Sequence, residues 1–97
     1  MQEADAATLA VHAGHAHYDA GDEEAARAEY REALRLGVVD AHEVAVMYGN
    51  LGRLAGVRNP ADALKHCDEA IRIHHATDSL TSAKATLTLE FSARLRP

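Results

Sequence analysis

The sequence predicts an all-α fold, an antiparallel array of helical hairpins built from about five helices. Its 97 residues are 47% apolar and 26% charged, which is typical of a single globular domain. The abundance of Ala, Leu, Glu and Arg favours helices over strands, and with only 4% aromatic residues the core must consist of small aliphatic side chains. Two further observations support this fold: helix caps recur along the chain, and one segment repeats.

Helix caps mark the first two helices. The first helix is expected over about residues 5–19 and ends before Gly21. Asp22 is an expected N-cap, because its side chain can accept a hydrogen bond from the first helical turn. The second helix then runs to about Leu36, and Gly37 is expected as a left-handed C-cap.

The third and fourth helices begin in a similar way. Asp40, with an acid three residues later, resembles a capping box and begins the third helix, which Gly56 closes. Asn59 and Pro60 then act as a side-chain cap and a proline in the first helical position, and the fourth helix runs to about Ala76. The short linkers imply that neighbouring helices pack antiparallel.

The fifth helix is expected to begin at Asp78 or Ser79 and to end near Arg94. An apolar stripe should pack on the fourth helix, and it comprises Leu80, Ala83, Leu87 and Phe91. A second apolar face is a candidate surface for another protomer, and it comprises Ala85, Leu89 and Ala93. The two faces lie about 180° apart, counting about 100° per residue. The alternative is that Leu89 is an ordinary exposed leucine.

An internal repeat relates the second helix to the fourth. Residues 32–36 (EALRL) return 37 positions later as residues 69–73 (EAIRI), and Tyr30 returns as Cys67. A fixed period in this range indicates stacked structural repeats, which usually bind partners rather than catalyse reactions. The repeat therefore directs the functional question toward a partner.

The first copy of the repeat resembles the tetratricopeptide repeat family. It carries small residues, one aromatic residue and a Gly-Asp turn in the family's order: Gly14, Gly21, Asp22, Ala26, Tyr30, Ala33 and Leu34. The resemblance implies a single domain over residues 1–97, with a first repeat at about 7–40 and a second at about 41–77. A half repeat or capping helix then follows at about 79–95.

Two registers are open for the second repeat. In the preferred register, Gly49 and Gly56 keep the seven-residue spacing of the two glycines in the first copy. The rival register uses Leu51 and Gly52 instead and shifts the third helix by three residues. The choice changes which side chains face outward.

The resemblance implies a concave groove lined by the first helix of each pair. By the preferred register, the groove residues are Val11, His15, Tyr18, Val46, Asn50 and Arg53. An amide can hold a peptide backbone and a guanidinium can hold a carboxylate. We therefore expect a protein-interaction module that binds a peptide or a partner helix through this groove or the last helix, with a regulatory adaptor role implied. The alternatives are ordinary polar surface residues, and a structural homo-oligomer or a piece of a longer scaffold without a peptide ligand.

Other conspicuous residues have simpler interpretations. Arg27, Arg31 and Arg35 recur every four residues and are expected on a solvated helix face. His12 and His15 lie on one side of a helix, but no fixed set of further ligands is expected, so neither a metal nor a cofactor is predicted. Cys67 is expected as a buried packing residue.

Several classes of function are disfavoured. No P-loop, nucleophile elbow or comparable motif occurs in the sequence, so an enzyme is not expected. The net charge of −5 and the scattered basic residues disfavour nucleic acid as a partner. No apolar run long enough for a membrane span is present, and a cytoplasmic location is the default expectation. The richness in Ala, Arg and His favours a bacterial source.

Overall fold

Five α-helices joined by short turns form the described part of the chain. The computed structural model describes residues 3–38 and 40–96, and the side chains of all of these except 3–5 and 57. The helices are α1 Glu3–Asp19, α2 Glu23–Leu36, α3 Ala41–Ala55, α4 Pro60–Ala76 and α5 Ala83–Leu95. A 3₁₀ turn, Gly56–Arg58, joins α3 to α4. No strand occurs in the described residues, so the prediction of an all-α fold is confirmed.

Capping side chains begin α2, α3 and α4 at the predicted residues. The side-chain oxygens of Asp22, Asp40 and Asn59 each accept a hydrogen bond from the backbone N–H three residues later, at 3.2, 3.0 and 3.3 Å. Gly37 ends α2 with a φ of 85°, in the left-handed region that glycine adopts readily. The helix ends that depend on local capping chemistry were therefore predictable from the sequence.

The start of α5 differs from the prediction. The helix begins at Ala83, not at Asp78 or Ser79, and the Ser82 hydroxyl is its N-cap. Asp78 has a φ of 55° and lies in the turn that ends α4. The backbone N–H of Ser79 donates to the carbonyl of His74 at 2.8 Å, which ties this residue to the end of the preceding helix. Both predicted starting residues therefore belong to the turn.

α5 also packs through a different face from the one predicted. Ala85, Thr88 and Ser92 are buried, whereas Leu87 and Leu89 remain 49% and 40% exposed. Of the four residues of the predicted packing stripe, Ala83 and Leu87 are exposed, whereas Leu80 and Phe91 are half-buried. The predicted stripe is therefore not the buried face of α5, and the prediction is wrong for Ala83 and Leu87.

Thr88 explains why α5 packs through its more polar face. The Thr88 hydroxyl accepts a hydrogen bond from Arg53 Nη1 of α3 at 2.9 Å. A Cβ atom on Gly49 would lie 2.5 Å from the same hydroxyl oxygen, so this glycine makes room for α5. A pattern of apolar residues cannot reveal a contact that a hydroxyl and a glycine make.

Two helical hairpins form the body of the protein. α1 packs against α2, α3 packs against α4, and α3 joins the hairpins by contacting α1 and α2. α5 packs on the second hairpin. The main core cluster comprises Ala10, Val11, Ala26, Tyr30, Ala33, Met47 and Leu54. No helix within residues 3–38 and 40–96 combines the length and the apolar character that crossing a membrane requires.

Equivalent glycines bring the two helices of each hairpin together. A Cβ atom on Gly14 would lie 2.5 Å from Cδ1 of Tyr30, and a Cβ atom on Gly52 would lie 2.6 Å from Sγ of Cys67. Tyr30 and Cys67 are related by the 37-residue repeat, so Gly52 is the counterpart of Gly14. The preferred register, which used Gly49, is therefore wrong, because that glycine faces α5 instead.

Candidate functional site

The predicted groove is not an open surface. Val11, Val46 and Asn50 are buried, with only 1% of Asn50 exposed, so the prediction that they line a groove is wrong. Val11 belongs to the main core cluster. For Val46 and Asn50 the register is the reason: with Gly52 as the counterpart of Gly14, Arg53 takes the place of His15, and Val46 and Asn50 turn inward.

His15, Tyr18 and Arg53 are half-buried and belong to a network of side-chain hydrogen bonds. His15 Nδ1 lies 2.6 Å from the hydroxyl of Tyr30, and Asn50 Nδ2 donates to the same hydroxyl at 2.8 Å. Arg53 donates from Nη2 to Asn50 Oδ1 at 2.5 Å and from Nε to the Tyr18 hydroxyl at 2.9 Å. We call these five residues and Thr88 the polar network. It joins α1, α2, α3 and α5, so its donors and acceptors hold the helices together.

Burial keeps the centre of the polar network neutral. Desolvation raises the pKa of Tyr30 to about 12, so its hydroxyl keeps its proton at physiological pH. Desolvation also lowers the pKa of His15, although the carboxylate of Glu43 acts in the opposite direction. A neutral histidine and a neutral tyrosine can share hydrogen bonds without the cost of a buried charge.

Glu43 is a member of this region that the sequence analysis assigned only to a helix cap. Its Oε2 atom lies 3.2 Å from His15 Nε2 and 3.3 Å from His12 Nε2. The carboxylate therefore links α3 to α1 instead of reaching back to its own helix start. In the part of the chain that the structure describes, no three His, Cys, Asp or Glu side chains are placed to hold a metal ion.

The predicted oligomer face on α5 is interrupted. Ala85 is fully buried within the chain, so it cannot contact another protomer. Leu89 and Ala93 are exposed, as the prediction requires. The exposed Leu87 points about 160° away from Leu89, counting about 100° per residue, so the two leucines do not form one apolar surface.

A cleft of about 550 Å³ opens between the two hairpins. One wall is α2, and the other is formed by the end of α3, the 3₁₀ turn and the start of α4. Three arginines contribute to its lining, and they are Arg27, Arg31 and Arg58. The remaining lining residues are Leu34, Leu51, Ala55, Asn59, Asp62 and His66. We call this the α2–α4 cleft.

The three arginines of the cleft are held to different degrees. Arg27 is half-buried, and its Nη2 donates to the backbone carbonyl of Leu54 at 2.7 Å. Arg58 pairs with Glu23 at 3.3 Å, with both side chains largely exposed. Arg31 is exposed and makes no hydrogen bond or ion pair with the described residues. The cleft therefore offers one fixed guanidinium, one weakly paired guanidinium and one guanidinium that no described residue holds.

Apolar side chains occupy the space between these charges. Leu34 is 42% exposed, although it has a large apolar side chain. Leu51 and Ala55 of α3 are half-buried on the facing wall. His66 stacks on the ring of Tyr48 with the centroids 5.9 Å apart, and desolvation lowers its pKa. The lining thus combines an apolar strip with cationic groups.

His74 is a buried titratable group outside the cleft. The ring is fully buried, its Nδ1 lies 2.8 Å from the hydroxyl of Ser79, and its Nε2 has no hydrogen-bond partner among the described residues. Burial lowers the pKa of His74, and the nearby ring of His42 lowers it further. The folded protein therefore disfavours a proton on this ring.

We expect acid to destabilise the protein through His74. Its pKa returns to 6.5 on unfolding, so below about pH 6.5 the unfolded chain binds the proton more readily than the folded one. The free energy of unfolding is therefore not reduced by His74 above about pH 6.5, and it decreases as the pH falls below that value. Chemical denaturation at a series of pH values around and below 6.5 should show a smaller decrease in the free energy of unfolding for His74→Gln than for the wild type.

The matched control is His75→Gln, at an exposed neighbouring position, which should follow the wild type. Equal pH dependence of all three proteins would contradict the prediction.

No protein-family model matches the sequence, and no curated protein or solved structure matches it either. The functional argument therefore rests on the α2–α4 cleft and on the polar network.

Proposed function

We propose that this chain is a protein-interaction module that binds an extended segment of a partner protein in the α2–α4 cleft. The observation that carries the proposal is the cleft itself, about 550 Å³ in volume with apolar and cationic side chains on facing walls. Binding sites commonly combine an apolar lining with a few polar groups in a concavity of this size. A segment of several residues fits such a space.

The organisation of the helices supports a binding role. Two hairpins related by the 37-residue repeat, followed by a single helix, resemble a short tetratricopeptide array, and repeat arrays use extended concave surfaces to bind partners. A regulatory adaptor role is part of the proposal. His15, Tyr18, Asn50 and Arg53 are already engaged in the polar network, so the proposal uses the α2–α4 cleft instead of the groove expected from the sequence.

The state of Cys67 argues against a nucleophilic role for its thiol. Its side chain is buried, and desolvation raises the pKa of the thiol. A nucleophilic cysteine requires the opposite conditions, an accessible sulfur and a lowered pKa. A Cβ atom on Gly52 would lie 2.6 Å from this sulfur, so the sulfur fills the space between α3 and α4.

Selection from a random peptide library on the immobilised full chain tests the proposal. Binding of the selected peptides is then measured by fluorescence anisotropy for the wild type, Leu34→Gln and Leu87→Gln. Both leucines lie on helices and are similarly exposed, at 42% and 49%, but only Leu34 lies in the cleft. We expect Leu34→Gln to weaken binding about tenfold, which is about 1.4 kcal/mol, and Leu87→Gln to leave it unchanged.

Two results would contradict the proposed function. One is the recovery of no binding peptide. The other is equal binding by the two leucine variants, which would place the site elsewhere. Sedimentation over a range of concentrations provides a further test, because a concentration-dependent oligomer that Leu34→Gln dissociates would assign the cleft to self-association.

A further inference from the structure

The α2–α4 cleft concentrates positive charge on an acidic protein. The whole chain has a net charge of −5 and ten basic Lys and Arg residues, yet three of its arginines meet in this one cleft. Among the described residues, Asp62 is the single carboxylate in the lining, and its Oδ2 accepts a hydrogen bond from Asn59 Nδ2 at 2.9 Å at the start of α4. The lining therefore holds three arginines against one carboxylate, so positive charge is in excess in the cleft.

We propose that the partner segment is acidic and places its carboxylates on Arg31 and Arg58 around an apolar side chain that contacts Leu34. This inference rests on the binding function proposed above and specifies the chemistry of the partner. Arg31 is exposed, lies in the lining and has no partner among the described residues, so its guanidinium can take a carboxylate in bidentate geometry. It is the principal anchor of the proposed complex.

Arg58 supplies the second contact because its present ion pair is weak. The Arg58 and Glu23 side chains are 77% and 53% exposed, and their closest atoms are 3.3 Å apart. An ion pair between side chains this exposed contributes little stability, so a carboxylate from a partner can displace Glu23 easily. Arg27 differs, because its bond to the Leu54 carbonyl holds it in place as a fixed positive charge between the walls.

The same cleft is poorly suited to nucleic acid. Single-stranded nucleic acid is usually held by aromatic rings on which its bases stack. The cleft lining contains no Phe, Tyr or Trp, and the nearby Tyr48 ring is already stacked against His66. An apolar strip of leucine and alanine instead fits an aliphatic side chain between two acids.

Substitution in both partners tests the inference. Each peptide selected on the wild type is compared with an analogue in which Asp and Glu are replaced by Asn and Gln. We expect the analogue to bind about tenfold more weakly, and we expect Arg31→Gln to weaken the acidic peptide by a similar factor. Arg94→Gln is the matched control, because it removes the same charge from an exposed position on α5 and should bind the acidic peptide normally.

A charge reversal completes the test. Arg31→Glu should lose the acidic peptide and gain affinity for an analogue in which one acid is replaced by lysine, whereas Arg94→Glu should do neither. If peptides require Leu34 but bind equally well with Asp and Glu or with Asn and Gln in their place, the inference is overturned and the proposed function stands. The absence of any cleft-binding peptide would overturn both. A single-stranded oligonucleotide that binds the wild type but not Arg31→Glu would also overturn the acidic-peptide assignment.

Discussion

Tyr30→Ala is expected to lower the free energy of unfolding by about 3–5 kcal/mol, the range found when a buried aromatic side chain is truncated. Tyr30 is fully buried and has the largest side chain among the fully buried residues. Its ring fills the space beside Gly14, and its hydroxyl is within hydrogen-bond distance of both His15 and Asn50. The substitution therefore creates a cavity and also removes a shared hydrogen-bond partner.

Tyr30→Phe separates these two effects. It keeps the ring and removes only the hydroxyl, which leaves the buried amide of Asn50 without its acceptor, at a cost of about 1–3 kcal/mol. Tyr48→Phe is the matched control, since no hydrogen bond joins the Tyr48 hydroxyl to the described residues and the side chain is half-buried. Urea denaturation should therefore give a midpoint for Tyr48→Phe close to that of the wild type. Equal losses in the two phenylalanine variants would refute the central role of the polar network.

The sequence was most informative where structure depends on neighbouring residues. Asp22, Asp40, Asn59 and Gly37 end or begin helices as predicted, because a cap is made within one turn of the chain. Ser82 was missed for a related reason. It is one of several Ser, Thr and Asp residues in the turn after α4, and each of them has the chemistry of a cap. Thr77 and Ser79 are tied by hydrogen bonds to the end of α4, and Ser82 is the residue that caps α5.

The faces of the helices were less predictable because they depend on the neighbouring helix. Arg27 and Arg31 recur at helical spacing and were expected on a solvated face. α2 does expose Arg31, but the end of α3 lies close enough for Arg27 to donate to its backbone carbonyl. Helical periodicity specifies which residues share a face, but it does not specify what faces them. The α2–α4 cleft could therefore not be predicted from the chain alone.

The register predicted for the second hairpin was wrong for a geometric reason. Gly49 and Gly52 are one turn apart on α3, so both lie on nearly the same side of the helix, about 60° from each other. Each glycine allows a close approach, but to a different neighbour: Gly52 to Cys67 of α4 and Gly49 to Thr88 of α5. Spacing alone cannot distinguish these roles, because it does not show which neighbouring helix each glycine faces.

Gly52→Ala is expected to destabilise the protein by about 1–3 kcal/mol through overpacking, although alanine favours a helix by up to about 1 kcal/mol. The added methyl group would meet Cys67 Sγ at 2.6 Å and the backbone carbonyl of Ala63 at 3.1 Å. The carbonyl belongs to α4 and cannot rotate away as a side chain can. One of the two helices must therefore shift.

A double-mutant cycle with Cys67→Ala identifies the contact. Removing the sulfur relieves the closer of the two clashes, so Gly52→Ala should cost about 1 kcal/mol less in the Cys67→Ala background than in the wild type. The rescue should be incomplete, because the Ala63 carbonyl remains. Gly49→Ala provides the matched comparison, and its cost should be unchanged by Cys67→Ala, because its new methyl group meets Thr88 instead. Urea denaturation is measured for the wild type, the three single variants and the two double variants. Coupling of Cys67 to Gly49 rather than to Gly52 would support the register in which Gly49 is the counterpart of Gly14.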